Sequence, residues 1–201
     1  MDHDPASRLS FFGYGSLVNE LTWAQQYEAQ PGEIRGWRRE WKHCVSAPFG
    51  RVCALTVVPK QDTVVQGVFI SCSQTELEIL DKREIGYRRE VLAASEVGVY
   101  SGDNPSTVYI YSSTPKVYRS GSLEYPIWLS YVESVLFGYL RVFGHDGIDR
   151  FIESTGGWDA PIVDDRSKPL YPRALQLPIE IRTFIEYKIT RIEGVNICSP
   201  P

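Results

Sequence analysis

The chain has 201 residues, 43% of them hydrophobic and 23% charged, which suits one globular domain with a sizeable core. Lys and Arg number 21 against 25 Asp and Glu, so the net charge is −4, and the strongly basic balance of a nucleic-acid or anionic-membrane binder is excluded. No apolar run approaches the roughly 18 residues of a spanning helix, and the opening MDHDPASR lacks the apolar core of a secretory signal, so a cytoplasmic protein is expected.

In chain order, Leu9 to Phe12 has the aromatic and branched bulk of a half-buried strand, and Gly13 and Gly15 break it. Strand, glycine turn and helix start together aim backbone N–H groups at one point, an arrangement that holds small anions. Val18 replaces the third glycine of a dinucleotide fingerprint, and the Gly-Lys-Ser/Thr of a P-loop is absent. A short helix is expected over 19–27. A long strand over 33–46 would place Trp37, Trp41 and Val45 on one face. A turn at 47–50, a strand over 51–58, a turn at 59–62 and a strand over 63–71 follow. Ser73-Gln-Thr-Glu76 is a capping box that opens a helix reaching about Ile85, with Gly86 as its stop. Strands are expected over 87–100 and 107–112. These add up to about six strands and favour an α+β chain built on a small, mostly antiparallel six-stranded β-barrel flanked by helices, with a helical, loop-rich C-terminal part.

Beyond that, 126–143 reads as a helix with a polar stripe of Ser130, Glu133, Ser134 and Arg141. A second helix covers 145–154. The stretch 156–178 is irregular, punctuated by Pro161, Pro169, Pro172 and Pro178, and its length suits a segment that covers a pocket and sets substrate choice. A helix over 179–191 and a loose tail from Glu193 close the chain. The expected organisation is a polar tail at 1–8, a barrel with helices at 9–145, and C-terminal helices with the Pro-rich loop at 146–201 packed on the same domain.

The metal inventory is poor. Cys44, Cys53, Cys72 and Cys198 form no C-x-x-C pair, and His3, His43 and His145 stand alone. Cys44 and Cys53 fall where a hairpin turned at 47–50 sets them face to face, as thiols in a reducing compartment. Cys198 occupies a prenylation position but lacks the aliphatic pattern after it. Asp164 and Asp165, beside Arg166 and Lys168, read as a solvated loop rather than a metal pair. Aromatic and basic residues alternate from Trp37 to Lys42, as in single-strand nucleic-acid grooves, but the negative net charge favours a barrel face.

Glu84 breaks the local pattern. Helical spacing puts it on the face of Leu77 and Leu80, in the last turn, where burial and the helix dipole both push a carboxylate pKa upward. Such a carboxyl suits a general acid/base. The plainer alternative is a frayed turn with Glu84 paired to Arg83, Arg88 or Arg89.

Tyr14-Gly15-Ser16-Leu17, together with the segment from Leu80 through Glu84 to Gly86-Tyr87, resembles the γ-glutamylcyclotransferase superfamily over residues 9 to 145. The resemblance implies a β-barrel enzyme with Glu84 as catalytic acid/base. Tyr14, Gly15, Ser16 and Leu17 would hold the glutamyl head, and Tyr87 and Tyr125 would line the pocket. Tyr111 and Tyr118 rival Tyr125. The reaction implied is attack of the substrate α-amine on its own γ-carbonyl, which gives 5-oxoproline and frees an amine, amino acid or peptide. It needs no cofactor and no metal. Residues 156–166 carry nothing over. The implied partner is a small γ-glutamyl molecule, with no nucleic acid and no membrane, and the oligomeric state stays open. A relative that removes a γ-glutamyl cap from a biosynthetic intermediate, or a silent binding protein on the same fold, are the alternatives.

Overall fold

The computed structural model describes residues 9–23 and 26–200. The N-terminal tail with His3, and positions 24 and 25 of the expected first helix, lie outside them. Strand β1, Leu9–Gly13, is central. It pairs antiparallel with residues 68–72 and parallel with residues 107–109, so it is bonded on both edges and buried on both faces. In place of one helix after it, two single 3₁₀ turns form, Ser16–Val18 and Glu20–Thr22. Asn19 stops the first turn and caps the second by accepting from the Leu21 N–H at 3.2 Å.

Strands β2, Ala29–Ala47, and β3, Gly50–Cys72, form one long hairpin. The turn expected at 59–62 is an outward loop inside β3. Arg35 faces Val64 and Trp37 faces Pro59, so Lys60 to Thr63 bulge opposite Gly36, and Asp62 takes φ 58°. A second bulge at Lys42 corrects the expected face. Trp41 faces Leu55 but His43 faces Ala54, so the alternation flips and Val45 leaves the face of Trp41. Cys44 and Cys53 do lie directly opposite, as free thiols.

Helix α1, Gln74–Arg83, has both halves of the Ser73/Glu76 capping box and buries Leu77 and Leu80, each worth about 1.5–3 kcal/mol. The strand expected over 87–100 is interrupted. It forms β4, Tyr87–Val91, a 3₁₀ turn, and β5, Val97–Val99, which pair with β6, Thr107–Ser113, and with β2 respectively. The result is a mixed seven-stranded sheet among the described residues, in the order β4-β6-β1-β3-β2-β5 with a short strand at 155–156 beside β2, rather than a closed antiparallel six-stranded barrel. The parallel β1–β6 contact and the split of 87–100 were hidden because both depend on partners distant in sequence.

A short strand β7, Ile127–Trp128, precedes helix α2, Leu129–Ser154, which kinks at Gly144 (φ 69°), where two helices had been expected. Of its polar stripe, Ser130 and Glu133 are buried against the segment that follows, Ser134 is buried beside Asn19, and Arg141 is exposed and pairs with Glu20 at 2.6 Å. Strand β8, Thr155–Gly156, joins the main sheet. Strand β9, Ile162–Val163, lies between β7 and β10, Ile197–Cys198, so the tail is tied down rather than loose. Helix α3, Ile179–Ile189, closes the C-terminal part. No helix among the described residues is long and apolar enough to cross a membrane.

Candidate active site

A cavity of about 230 Å³ opens where the turn after β1, the end of α1, the tip of the β2–β3 hairpin, the start of α2 and the loop before α3 converge. Tyr14, Gly15, Ser16, Leu17, Glu84 and Tyr87 all stand in its wall. Tyr125 does not. Its ring instead receives the guanidinium groups of Arg51 and Arg119, at 5.7 and 4.3 Å from the ring centre. Tyr111, Tyr131 and Tyr171 line the cavity in its place, whereas Tyr118 donates to Glu40 at 2.6 Å.

The motif turn is held from behind. The Tyr14 hydroxyl donates to the Tyr111 carbonyl at 2.6 Å, and burial raises its pKa well above the ordinary value. The Tyr14 carbonyl accepts from Arg39 at 3.0 Å and from the Tyr139 hydroxyl at 3.1 Å. The first backbone hydrogen bond of the turn runs from the Val18 N–H to the Gly15 carbonyl, so the Ser16 and Leu17 N–H groups precede the intrahelical ladder. A Cβ on Gly15 would lie 3.3 Å from Leu55 Cδ1 and 3.4 Å from the Tyr131 hydroxyl, so the backbone itself forms this wall.

Arg39 is fully buried and has no carboxylate partner among the described residues. Its guanidinium serves acceptors instead. Besides Tyr14 they are the Tyr139 hydroxyl at 2.5 Å, the Gln66 carbonyl at 3.3 Å, the Phe151 carbonyl at 3.5 Å, Ser154 Oγ at 3.1 Å and Thr155 Oγ1 at 2.8 Å. The ring of Phe151 lies 3.9 Å beneath it. The negative end of the α2 dipole and the ring face compensate the charge.

Glu84 is the C-cap of α1. Its N–H donates to the Leu80 carbonyl at 2.9 Å, and its side chain is 17% exposed. Loss of hydration raises its pKa above 4.5, opposed by Arg83 and then Arg173. The carboxylate lies 3.3 Å from Arg83 Nε. Cavity placement and the Arg83 pairing therefore coexist.

His43 is the residue that sequence reasoning passed over. Its Nε2 is 3.0 Å from the Ile85 carbonyl and its Nδ1 is 2.8 Å from Ser113 Oγ. A carbonyl only accepts, so Nε2 carries the proton and Nδ1 accepts from the serine. The ring stacks on Tyr87 with centroids 3.6 Å apart, and burial lowers its pKa to about 4. A neutral His43 thus pins the residue next to Glu84 to the sheet. An isolated histidine gives no sign of this, because its placement depends on the bulge at Lys42.

The Asp pair is structural. Asp165 is 3% exposed and caps α2 from across the chain, accepting from the Ser130 N–H at 2.8 Å, the Ser130 hydroxyl at 2.6 Å and the Leu170 N–H at 2.8 Å. Asp164 pairs with Arg166 at 2.5 Å, and Arg166 reaches Glu186 at 2.7 Å and Glu133 at 3.5 Å. The expected solvated loop is therefore an anchor. It holds the segment that brings Tyr171 and Arg173 to the cavity. No cluster of His, Cys, Asp or Glu that could hold a metal occurs among the described residues.

Among solved structures, the fold is similar to a gamma-glutamyl cyclotransferase at TM-score 0.57 and 13% identity, over 90% of this chain and 99% of that one. It is equally similar, at TM-score 0.57 and 14% identity, to an uncharacterized protein from Homo sapiens, over 89% of this chain and 98% of that one. YkqA from Bacillus subtilis matches at TM-score 0.54 and 14% identity over 73% of this chain and 53% of its own. No protein-family model and no curated protein matches the sequence. The chain thus has the fold found in a gamma-glutamyl cyclotransferase structure, at identities that speak to architecture alone.

Proposed function

We propose that this protein is a γ-glutamyl cyclotransferase with Glu84 as its general acid/base. The observation that carries the reading is a carboxyl group, its pKa raised by lost hydration, in the wall of a cavity that it shares with the Gly15–Leu17 turn. The substrate is a γ-glutamyl amide. Its α-ammonium gives a proton to Glu84, the freed amine attacks the γ-carbonyl, and a C–N bond forms in a five-membered ring. The scissile C–N bond then breaks as Glu84 passes the proton to the leaving nitrogen. A second proton follows the same route, so both protons lost by the attacking nitrogen end on the released amine. The nucleophile is tethered, so positioning supplies much of the acceleration. The Ser16 and Leu17 N–H groups and the Ser16 hydroxyl hold the glutamyl head or polarise the γ-carbonyl oxygen. A cytoplasmic protein acting on a small molecule is consistent with this chemistry. The test is 5-oxoproline release from a panel of γ-glutamyl amides by wild type and Glu84→Gln. Release by wild type and none by the variant supports the reading, and equal release by both overturns it.

A further inference from the structure

The reaction leaves open what lies on each side of the scissile amide, and the cavity walls differ in a way that bears on it. Two arginines line the cavity among the described residues, and Arg83 is committed to Glu84 at 3.3 Å. Arg173 forms no hydrogen bond or ion pair among the described residues, although it is close enough to Glu84 to lower the pKa of that carboxyl. His43 is held neutral by burial. Close by in sequence, the Tyr171 hydroxyl is buried without any hydrogen-bond partner among the described residues, in a residue 9% exposed. A buried hydroxyl left unpaired is costly unless a ligand completes it. The Tyr171 ring lies 4.9 Å from that of Tyr131, whose hydroxyl abuts Gly15, so the loop residues and the motif turn converge on one corner.

That corner offers the Glu84 carboxyl and, within its electrostatic reach but not paired with it, the Arg173 guanidinium. An amino-acid head presents the complementary couple, an ammonium and a carboxylate on one carbon. The rest of the lining has no further cation. The hairpin tip contributes Val45, Ala47, Pro48, Phe49 and Val52, and Trp128 stands at 5.6 Å from the Phe49 ring. A leaving group that carries its own carboxylate would bring a second anion into apolar surroundings without a partner, which is strongly unfavourable.

We propose, on the basis of the cyclotransferase reading, that Arg173 and Tyr171 bind the α-carboxylate of the γ-glutamyl head. The hairpin tip with Trp128 takes an uncharged apolar leaving group. The ligand class is then a γ-glutamyl amide of an aromatic or aliphatic amine, rather than a γ-glutamyl amino acid or peptide. The two probes are γ-glutamyl-phenethylamide and γ-glutamyl-phenylalanine, which differ only by the second carboxylate, with glutathione as a third ligand.

Binding is measured by calorimetry on Glu84→Gln, where turnover does not interfere. The phenethylamide should bind at least about 10-fold more tightly than the other two. Adding Arg173→Met should weaken it about 10-fold or more, Arg173→Lys should recover part of that, and Tyr171→Phe should weaken it severalfold. Arg173 makes no hydrogen bond or ion pair among the described residues, so its variants should unfold at the wild-type denaturant midpoint. Equal or tighter binding of γ-glutamyl-phenylalanine or glutathione overturns the ligand class. An unchanged affinity in Arg173→Met overturns the role of the arginine. Release of 5-oxoproline by the wild type is read separately. Selective, Arg173-dependent binding without release supports the ligand class and overturns the lyase reading, and release without that selectivity does the reverse.

Discussion

His43 makes stability fall steeply as the solution is acidified. Its pKa is lowered from 6.5 to about 4 in the folded chain, because protonation would place a charge in a buried ring whose Nδ1 must accept from Ser113. The unfolded chain binds the proton from about pH 6.5 downward, and the folded chain does so only near pH 4. The unfolded state therefore holds more protons throughout that window, and each unit of pH removes about 1.4 kcal/mol. The whole effect is roughly 3 kcal/mol between pH 6.5 and 4, with nothing further from this residue below that. Urea midpoints measured at intervals from pH 7 to 4 should show this loss in the wild type. His43→Gln keeps a donor for the Ile85 carbonyl but does not titrate, so its curve should be flatter by that amount. Glu84 and Glu133 have raised pKa values, mainly through burial, and so act in the opposite direction. The comparison between wild type and variant cancels them. Identical pH slopes in the two proteins would refute the argument.

Other outcomes follow from the same geometry. Glu84→Gln should fold normally and lose about 10²–10⁴ in kcat, and the acid limb of the wild-type kcat/KM profile should lie above pH 4.5, because the base must be ionised and its pKa is raised. Arg39→Met leaves the carbonyls of Tyr14 and Gln66 without their guanidinium donor and should lower stability by about 3–5 kcal/mol, read from urea melts. Asp165→Ala removes the acceptor for three hydrogen bonds at the start of α2 and should cost about 2–4 kcal/mol, with faster amide exchange at Leu170. Tyr125→Phe should leave ligand affinity within about twofold of wild type, since that ring is outside the cavity lining.

The local signals in the sequence were the reliable ones. The capping box at Ser73, the turn after β1 and the inward face of Leu77 and Leu80 are all set within one or two turns of chain, and the structure contains each of them, whereas the helix stops at Arg83 and leaves Glu84 as its C-cap rather than in its last turn. What depended on distant partners was not legible. The bulge at Lys42 is set by pairing with β3, and it alone brings His43 and Val45 onto the face of Val52 and Ala54. Asp165 read as solvated because nothing near it in sequence reveals that its acceptors meet the N-terminus of a helix beginning 36 residues earlier, at Leu129. Tyr125 was preferred over Tyr111 from its position in the chain, yet the sheet order places β6, and with it Tyr111, beside β1. Tyr171 and Arg173 sit in the stretch 156–178, whose length suggested a pocket cover but whose sequence singled out neither residue.

The buried Arg39 also bears on how the chain comes into being. Its guanidinium joins the carbonyl of Tyr14 to Tyr139, Ser154 and Thr155. During synthesis the glycine turn therefore emerges early but stays without its backing until Thr155 has left the ribosome, and Arg173 comes later still. A nascent or truncated chain holds Glu84 without the Tyr171 and Arg173 walls of its cavity. The cavity around Glu84 is thus completed only when the protein is nearly whole, because its last walls, Tyr171 and Arg173, lie in the final third of the chain.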